Sequence, residues 1–95
     1  MDFDTFKASL GGAAPPSGIA VLLRALWFDA NGDWDEAHRI AQDVETSDGA
    51  RVHAYLHRKE GDLPNARYWY RSAGVAVESG GLDREWEKLA RDFAG

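Results

Sequence analysis

Two histidines, His53 and His57, lie four positions apart in a segment with helical periodicity. On an α-helix this spacing puts both imidazole rings on one face, where they can bind a metal ion or relay a proton. Glu60 lies one turn further on, and His38 in the preceding predicted helix could approach the pair. One hypothesis is therefore a small-molecule or metal site around His53, His57 and Glu60. The favoured interpretation is instead that no metal binds and that both rings are partly buried structural groups bonded to neighbouring polar side chains.

Basic and aromatic side chains are concentrated in the middle of the chain. Residues 49–71 carry five basic and two acidic residues, whereas residues 29–48 carry seven acidic residues and one arginine. Arginine binds carboxylates through two parallel hydrogen bonds, and arginine and tyrosine dominate many protein interfaces. The pattern predicts a partner-binding face made by Arg51, Tyr55, Arg58, Lys59, Arg67, Tyr68 and Arg71. The alternative is that these bases pair with the acidic residues that precede them.

Length and composition exclude several classes of protein. A chain of 95 residues fits one domain, and the lack of cysteine excludes disulfides, thiolate zinc sites and thiol catalysis. A net charge of -5 argues against binding to duplex nucleic acid. The longest apolar stretch, residues 18–28, contains Arg24 and is too short to span a membrane. The acidic start of the chain is unlike a secretory signal, so we expect a cytoplasmic protein.

No motif for a specific reaction is present. Nothing resembles a catalytic triad, a phosphate-binding glycine loop or a nucleotide fingerprint. The residues between His53 and His57 are Ala-Tyr-Leu, so the zinc protease signature His-Glu-x-x-His is absent. A non-enzymatic protein without a cofactor is therefore favoured, and an enzymatic function is left open.

Helical periodicity runs through nearly the whole chain, and no segment alternates apolar and polar residues as a half-buried strand would. The expected helices are Asp4–Leu10, Gly18–Ala30, Trp34–Glu45, Ala50–Glu60, Asp62–Ala73 and a last one that starts at Asp83. Ser17, Asp33 and Asp62 are the expected N-caps. Trp69 and Tyr70 are assigned to the buried stripe of their helix.

The strongest organised signal is an internal repeat with an offset of 29 residues. Residues 32–37 and 61–66 each contain a Gly-Asp pair between two predicted helices, followed by an alanine early in the second helix. Glycine permits the sharp turn, and aspartate caps the returning helix. Small side chains at Ala25, Ala37, Ala54 and Ala66 let paired helices approach closely, so we expect all four to be buried.

These features resemble the tetratricopeptide repeat, whose helix-turn-helix units carry a Gly-Asp-aromatic-Asp-Glu-Ala turn. The matching residues are Ala25, Phe28, Gly32, Trp34 and Ala37 in one unit and Ala54, Gly61, Ala66, Tyr70 and Ala73 in the other. The offset of 29 residues is shorter than the family period of about 34. The resemblance implies that the helix carrying Arg51 and Lys59 lines a concave face. Residues 52–71 also resemble a group of small uncharacterised bacterial proteins, which implies no activity.

The sequence thus predicts an all-α protein of one domain. Two tetratricopeptide-like antiparallel helical hairpins cover residues 17–74. An N-terminal helix and Gly/Pro linker (1–16) and a loop and C-terminal helix (75–95) supply capping helices at both ends. The favoured function is a binding or adaptor module for an acidic peptide or protein, with no membrane or duplex nucleic acid as partner. A homodimer is left open.

Overall fold

The computed structural model describes residues 1–95, and it contains six α-helices and no β-strand. The helices α1 to α6 are Phe3–Ala8, Val21–Ala30, Trp34–Gln42, Ser47–Glu60, Leu63–Ala73 and Leu82–Phe93. A single turn of 3-10 helix, Ser9–Gly11, continues α1. The predicted all-α class is confirmed. None of the helices combines the length and the apolar character needed to cross a membrane.

Two helical hairpins form the centre of the fold. Helix α2 packs against α3, α4 packs against α5, and α3 packs against α4. Asp33 and Asp62 each accept a hydrogen bond from the backbone N–H three residues on, at 3.1 and 3.3 Å, so both predicted caps are confirmed. Gly32 and Gly61 precede these caps with φ of 84° and 90°, a left-handed conformation in which glycine carries no Cβ penalty.

Alanines lie where the paired helices meet. Ala25, Ala37, Ala54 and Ala66 are each at most 2 % exposed, as predicted. Because a methyl group is the whole side chain, the backbones of paired helices can come close together. The main apolar core combines residues from α1, α2, α3, α4 and α6, and a smaller cluster of Ala54, Ala66 and Tyr70 lies between α4 and α5.

The start of α2 differs from the prediction. The helix begins at Val21 rather than at Gly18, and Ser17 does not cap it. Its N-cap is Ala20, whose side chain makes no hydrogen bond. Gly18 has a φ of 77°, which takes the chain out of the helical path before α2 begins.

Helix α4 begins one turn earlier than predicted, at Ser47, and α3 ends earlier, at Gln42. The hydroxyl of Thr46 accepts a hydrogen bond from the N–H of Gly49 at 3.0 Å and so caps α4. A Cβ atom on Gly49 would clash with the backbone carbonyl of Val44. Glycine is a poor helix former, so the sequence predicts a turn at this position. The structure instead requires glycine inside the first turn of α4, because the chain leaving α3 passes against it.

The terminal helices cover one side of the two hairpins. Helix α6 packs against α2 and α4. Trp86 of α6 stacks on Phe6 of α1 with ring centroids 6.0 Å apart, and its indole N–H donates to the carbonyl of Leu26 at 3.1 Å. The side of α4 that carries Arg51 and Arg58, which the family resemblance assigns to a concave binding face, is therefore covered by α6.

Replacing Ala66 with leucine is expected to lower the free energy of unfolding by about 1–3 kcal/mol, because the added atoms overpack the contact between α4 and α5. Urea unfolding followed by circular dichroism measures this change. Ala30→Leu is the matched control at an exposed position of α2, and it should change stability by less than about 0.5 kcal/mol. Equal midpoints for the two variants would contradict the close approach of α4 and α5.

Gly49→Ala should destabilise the protein by about 1–3 kcal/mol, because the new methyl group displaces the backbone at Val44. Gly11→Ala is the control, since no atom lies within 4 Å of a Cβ at that position. Thermal unfolding of both variants tests the expectation. A Gly49→Ala variant as stable as Gly11→Ala would show that the chain does not pass against α4 as described.

Candidate functional site

Two residues of the predicted partner-binding face, Tyr55 and Lys59, form hydrogen bonds within the fold. Tyr55 is 2 % exposed, and its hydroxyl donates to Oδ2 of Asp29 at 2.6 Å. Lys59 donates from Nζ to Oδ1 of the same carboxylate at 2.9 Å. Burial, followed by the hydrogen bond to Asp29, raises the pKa of Tyr55. Tyr55 and Lys59 thus satisfy the hydrogen-bonding capacity of a buried carboxylate of α2. Because Tyr55 is buried, it cannot form the contact with a partner that the sequence predicts.

The two arginines of α4 form ion pairs with acidic residues of α6. Arg58 donates to Oε1 of Glu85 at 2.7 Å, and the hydroxyl of Tyr70 donates to Oε2 at 2.6 Å. Glu85 is 4 % exposed, so these bonds compensate a buried charge. Arg51 donates to Asp92 at 2.7 Å, and its side chain is 18 % exposed. Arg51 and Arg58 are therefore internal ion-pair partners, which favours the alternative that these bases pair within the fold. Their closest carboxylates come from α6 rather than from the acidic segment that precedes them.

Helix α5 leaves the remaining predicted contact residues on the surface. Arg67, Tyr68 and Arg71 are exposed, and neither arginine takes part in an ion pair. The helix contains no acidic residue. Tyr68 packs edge-on against Trp69, with ring centroids 5.0 Å apart. We call Leu63, Arg67, Tyr68 and Arg71 the α5 face, which spans about 140° of the helix circumference at about 100° per residue.

All three histidines of the chain meet between α3 and α4. One ring nitrogen each of His38, His53 and His57 lies within 4.8 Å of the other two. Nε2 of His38 and Nε2 of His53 are 2.9 Å apart, which is a hydrogen bond in which one neutral ring donates to the other. The approach of His38 to the helical pair is confirmed. We call these three residues the histidine cluster.

Glu60 contacts the histidine cluster through His57. Nδ1 of His57 lies 2.5 Å from Oε2 of Glu60. Because a carboxylate oxygen accepts, this contact assigns the hydrogen of the neutral ring to Nδ1 and leaves the lone pair on Nε2. Asp62 also lies within reach of His57, but its carboxylate caps α5. Glu60 thus orients His57 rather than belonging to the group of three nitrogens.

Two tryptophans flank the histidine cluster. Trp34 stacks on His38 with ring centroids 4.9 Å apart, and Trp69 stacks on His53 at 4.0 Å. The indole N–H of Trp34 also donates to the carbonyl of Leu56 at 2.8 Å. Both tryptophans are partly buried, so Trp69 lies at the border of the core in which the sequence places it. Sequence reasoning missed both stacks. Trp69 and His53 come from different helices, whereas Trp34 and His38 lie four positions apart in α3, a spacing that could have indicated their contact.

The surroundings keep two of the imidazole rings neutral. Burial, followed by the charges of His38 and His57, lowers the pKa of His53 from 6.5 to about 4. Burial is also the largest cause that lowers the pKa of His38, followed by His57, while Glu60 and Asp35 act in the opposite direction. At neutral pH both rings therefore hold an unprotonated nitrogen, which is the form that binds metal ions.

Comparisons of the chain with protein-family models, with curated proteins and with solved structures find no match. The resemblance to the tetratricopeptide repeat therefore stays a prediction. Two features of the molecule can carry a function, the α5 face and the histidine cluster.

In the absence of metal, the protein is expected to lose stability as the pH falls from about 6.5 towards 4. The unfolded chain protonates His53 near pH 6.5 and the folded chain only near pH 4. The contribution of His53 to the free energy of unfolding is therefore fully present above pH 6.5 and is lost as the pH falls from 6.5 towards 4. Urea unfolding in EDTA at pH 7.5 and 5.5 should show a loss of about 1 kcal/mol from this residue.

The variant His53→Gln serves as the control for this titration. Its stability should change less between the same two pH values, because it lacks the ring whose pKa is lowered. The surrounding groups Glu60, Asp35, His38 and His57 are the same in both proteins. An equal loss in the variant and in the native protein would assign the pH dependence to groups other than His53.

Proposed function

We propose that the protein is a non-enzymatic binding module that contacts an acidic protein segment through the α5 face. The observation that carries this proposal is the charge of α5. The helix has two exposed arginines and no acidic residue, and neither arginine is paired within the fold. In a chain of net charge -5, such a helix is a local positive surface.

The side chains of the α5 face suit a partner that carries carboxylates. Arg67 and Arg71 offer the planar fork that binds a carboxylate through two hydrogen bonds. Tyr68 is 57 % exposed and Leu63 is 51 % exposed, so both add contact area between the charges. Arginine and tyrosine are the residue types that most often dominate interface energies. The proposed contact lies on the outside of the second hairpin, since α6 covers the opposite side of α4.

The tetratricopeptide-like arrangement belongs to the same proposal. It is supported by the two helical hairpins and by the burial of the four interface alanines. Stacked helical hairpins present extended faces, which suits an adaptor. The cytoplasmic location expected from the sequence is also part of this proposal.

The double variant Arg67→Glu/Arg71→Glu is expected to bind at least about tenfold more weakly to proteins that the native chain captures from a cell extract, because it reverses the charge of the contact. Mass spectrometry identifies the captured proteins, and titration with each purified partner measures the affinity. Binding by the native chain should also weaken between 50 and 300 mM NaCl, because the Debye length falls below about 10 Å.

A matched control is the double variant Arg24→Glu/Arg84→Glu. It makes the same change of charge at two exposed arginines of α2 and α6, and it should keep the captured partners. Both double variants should unfold at nearly the native temperature, because all four side chains are exposed. If the α5 variant binds the same partners as tightly as the control, the α5 face is not the contact.

A further inference from the structure

The three histidines are placed as a set of metal ligands. The chain has 95 residues and only three histidines, and all three meet at one point between α3 and α4. His53 and His57 come from one face of α4, and His38 comes from α3. We propose that the histidine cluster binds one divalent transition-metal ion of the zinc class through three imidazole nitrogens, with Glu60 as the residue that orients His57.

The distances between the nitrogens fit this occupant. In a tetrahedral site with zinc–nitrogen bonds of 2.0–2.1 Å, two ligand nitrogens are about 3.3 Å apart. The Nε2 atoms of His38 and His53 lie 2.9 Å apart, and one ring nitrogen from each of the three histidines lies within 4.8 Å of the other two. Shifts of about 1.5 Å or less bring all three to ligand distance. An ion would replace the hydrogen bond between His38 and His53 with two metal bonds.

Glu60 prepares His57 for the same role. Its contact with Nδ1 leaves Nε2 as the nitrogen that can bind an ion. A histidine that binds a metal commonly donates its other N–H to a carboxylate, which fixes the ring and raises its basicity. Glu60 is therefore a positioning residue, and His38, His53 and His57 are the ligands.

Ligand chemistry selects the class of ion. Imidazole nitrogens suit Zn²⁺, Cu²⁺, Ni²⁺ and Co²⁺, whereas Ca²⁺ and Mg²⁺ require oxygen ligands. Three protein ligands leave one position of a tetrahedral site for water or for a small ligand. His38 is only partly buried, so the cluster is open to solvent on the α3 side. Because the ligands come from α3 and α4, a bound ion would tie the first hairpin to the second.

The first experiment is a titration of tag-free protein, freed of metal with EDTA and dialysed, with ZnCl₂ in a calorimeter at pH 7.5. We expect one ion per chain and a melting temperature that rises with metal concentration until the site is full. Substitution of Co²⁺ should give the intense visible absorption of a four-coordinate ion. Each of His38→Gln, His53→Gln and His57→Gln should weaken binding by at least about tenfold.

Glu60→Gln tests the positioning role with a matched control. It should weaken zinc binding by about tenfold while the visible spectrum of the Co²⁺ form keeps its shape, because the three ligands are unchanged. Glu45→Gln makes the same change of charge at an exposed position outside the cluster, and it should bind zinc as the native chain does.

A second measurement keeps the proposal testable if a histidine variant does not fold. The native chain has only three imidazole rings, so their ¹⁵N signals can be followed one by one. Addition of ZnCl₂ should move one ring nitrogen of each histidine together, and for His57 this should be Nε2. The proposal is overturned if 1 mM Zn²⁺, Co²⁺ or Ni²⁺ produces neither heat nor these shifts. It is equally overturned if binding persists unchanged in the folded histidine variants.

Discussion

Two buried carboxylates, Asp29 of α2 and Glu85 of α6, determine how the second hairpin lies against the rest of the molecule. Each accepts one hydrogen bond from a tyrosine hydroxyl and one from a cationic side chain of that hairpin. A buried ionised carboxylate costs several kcal/mol unless such partners compensate it. Helix α4 must therefore face both α2 and α6. The arrangement is complete, since no buried side-chain nitrogen or oxygen lacks a hydrogen-bond partner.

The same constraint fixes what the opposite side of α4 can do. Residues four apart share a helix face, and residues two apart lie on nearly opposite faces. Tyr55 and Lys59 bind the carboxylate of Asp29, so His53 and His57 are directed away from it, towards α3. The pairing that stabilises one face of α4 thus brings two imidazoles to the helix that carries the third.

Internal pairing also decides where positive charge reaches the surface. The basic residues of α4 bind carboxylates of the fold, whereas those of α5 do not. Trp69 lies between the two candidate functional features. Its ring centroid lies 5.0 Å from that of Tyr68 in the α5 face and 4.0 Å from that of His53 in the histidine cluster. The α5 face and the histidine cluster therefore differ in the ligands they would bind, but the side chain of Trp69 contacts both.

The sequence by itself determined the features that depend on a few neighbouring residues. Asp33 and Asp62 cap their helices through backbone groups three positions away, and the spacing of His53 and His57 places both rings on one face. Only the tertiary structure decided which charges are buried together and how close His38 comes to the other two rings. Arg58 pairs with a carboxylate 27 residues later, in α6. No local pattern encodes that contact. A charged side chain is as stable in water as in an exposed ion pair, and the pairing becomes necessary only where a packed helix excludes water from the charge.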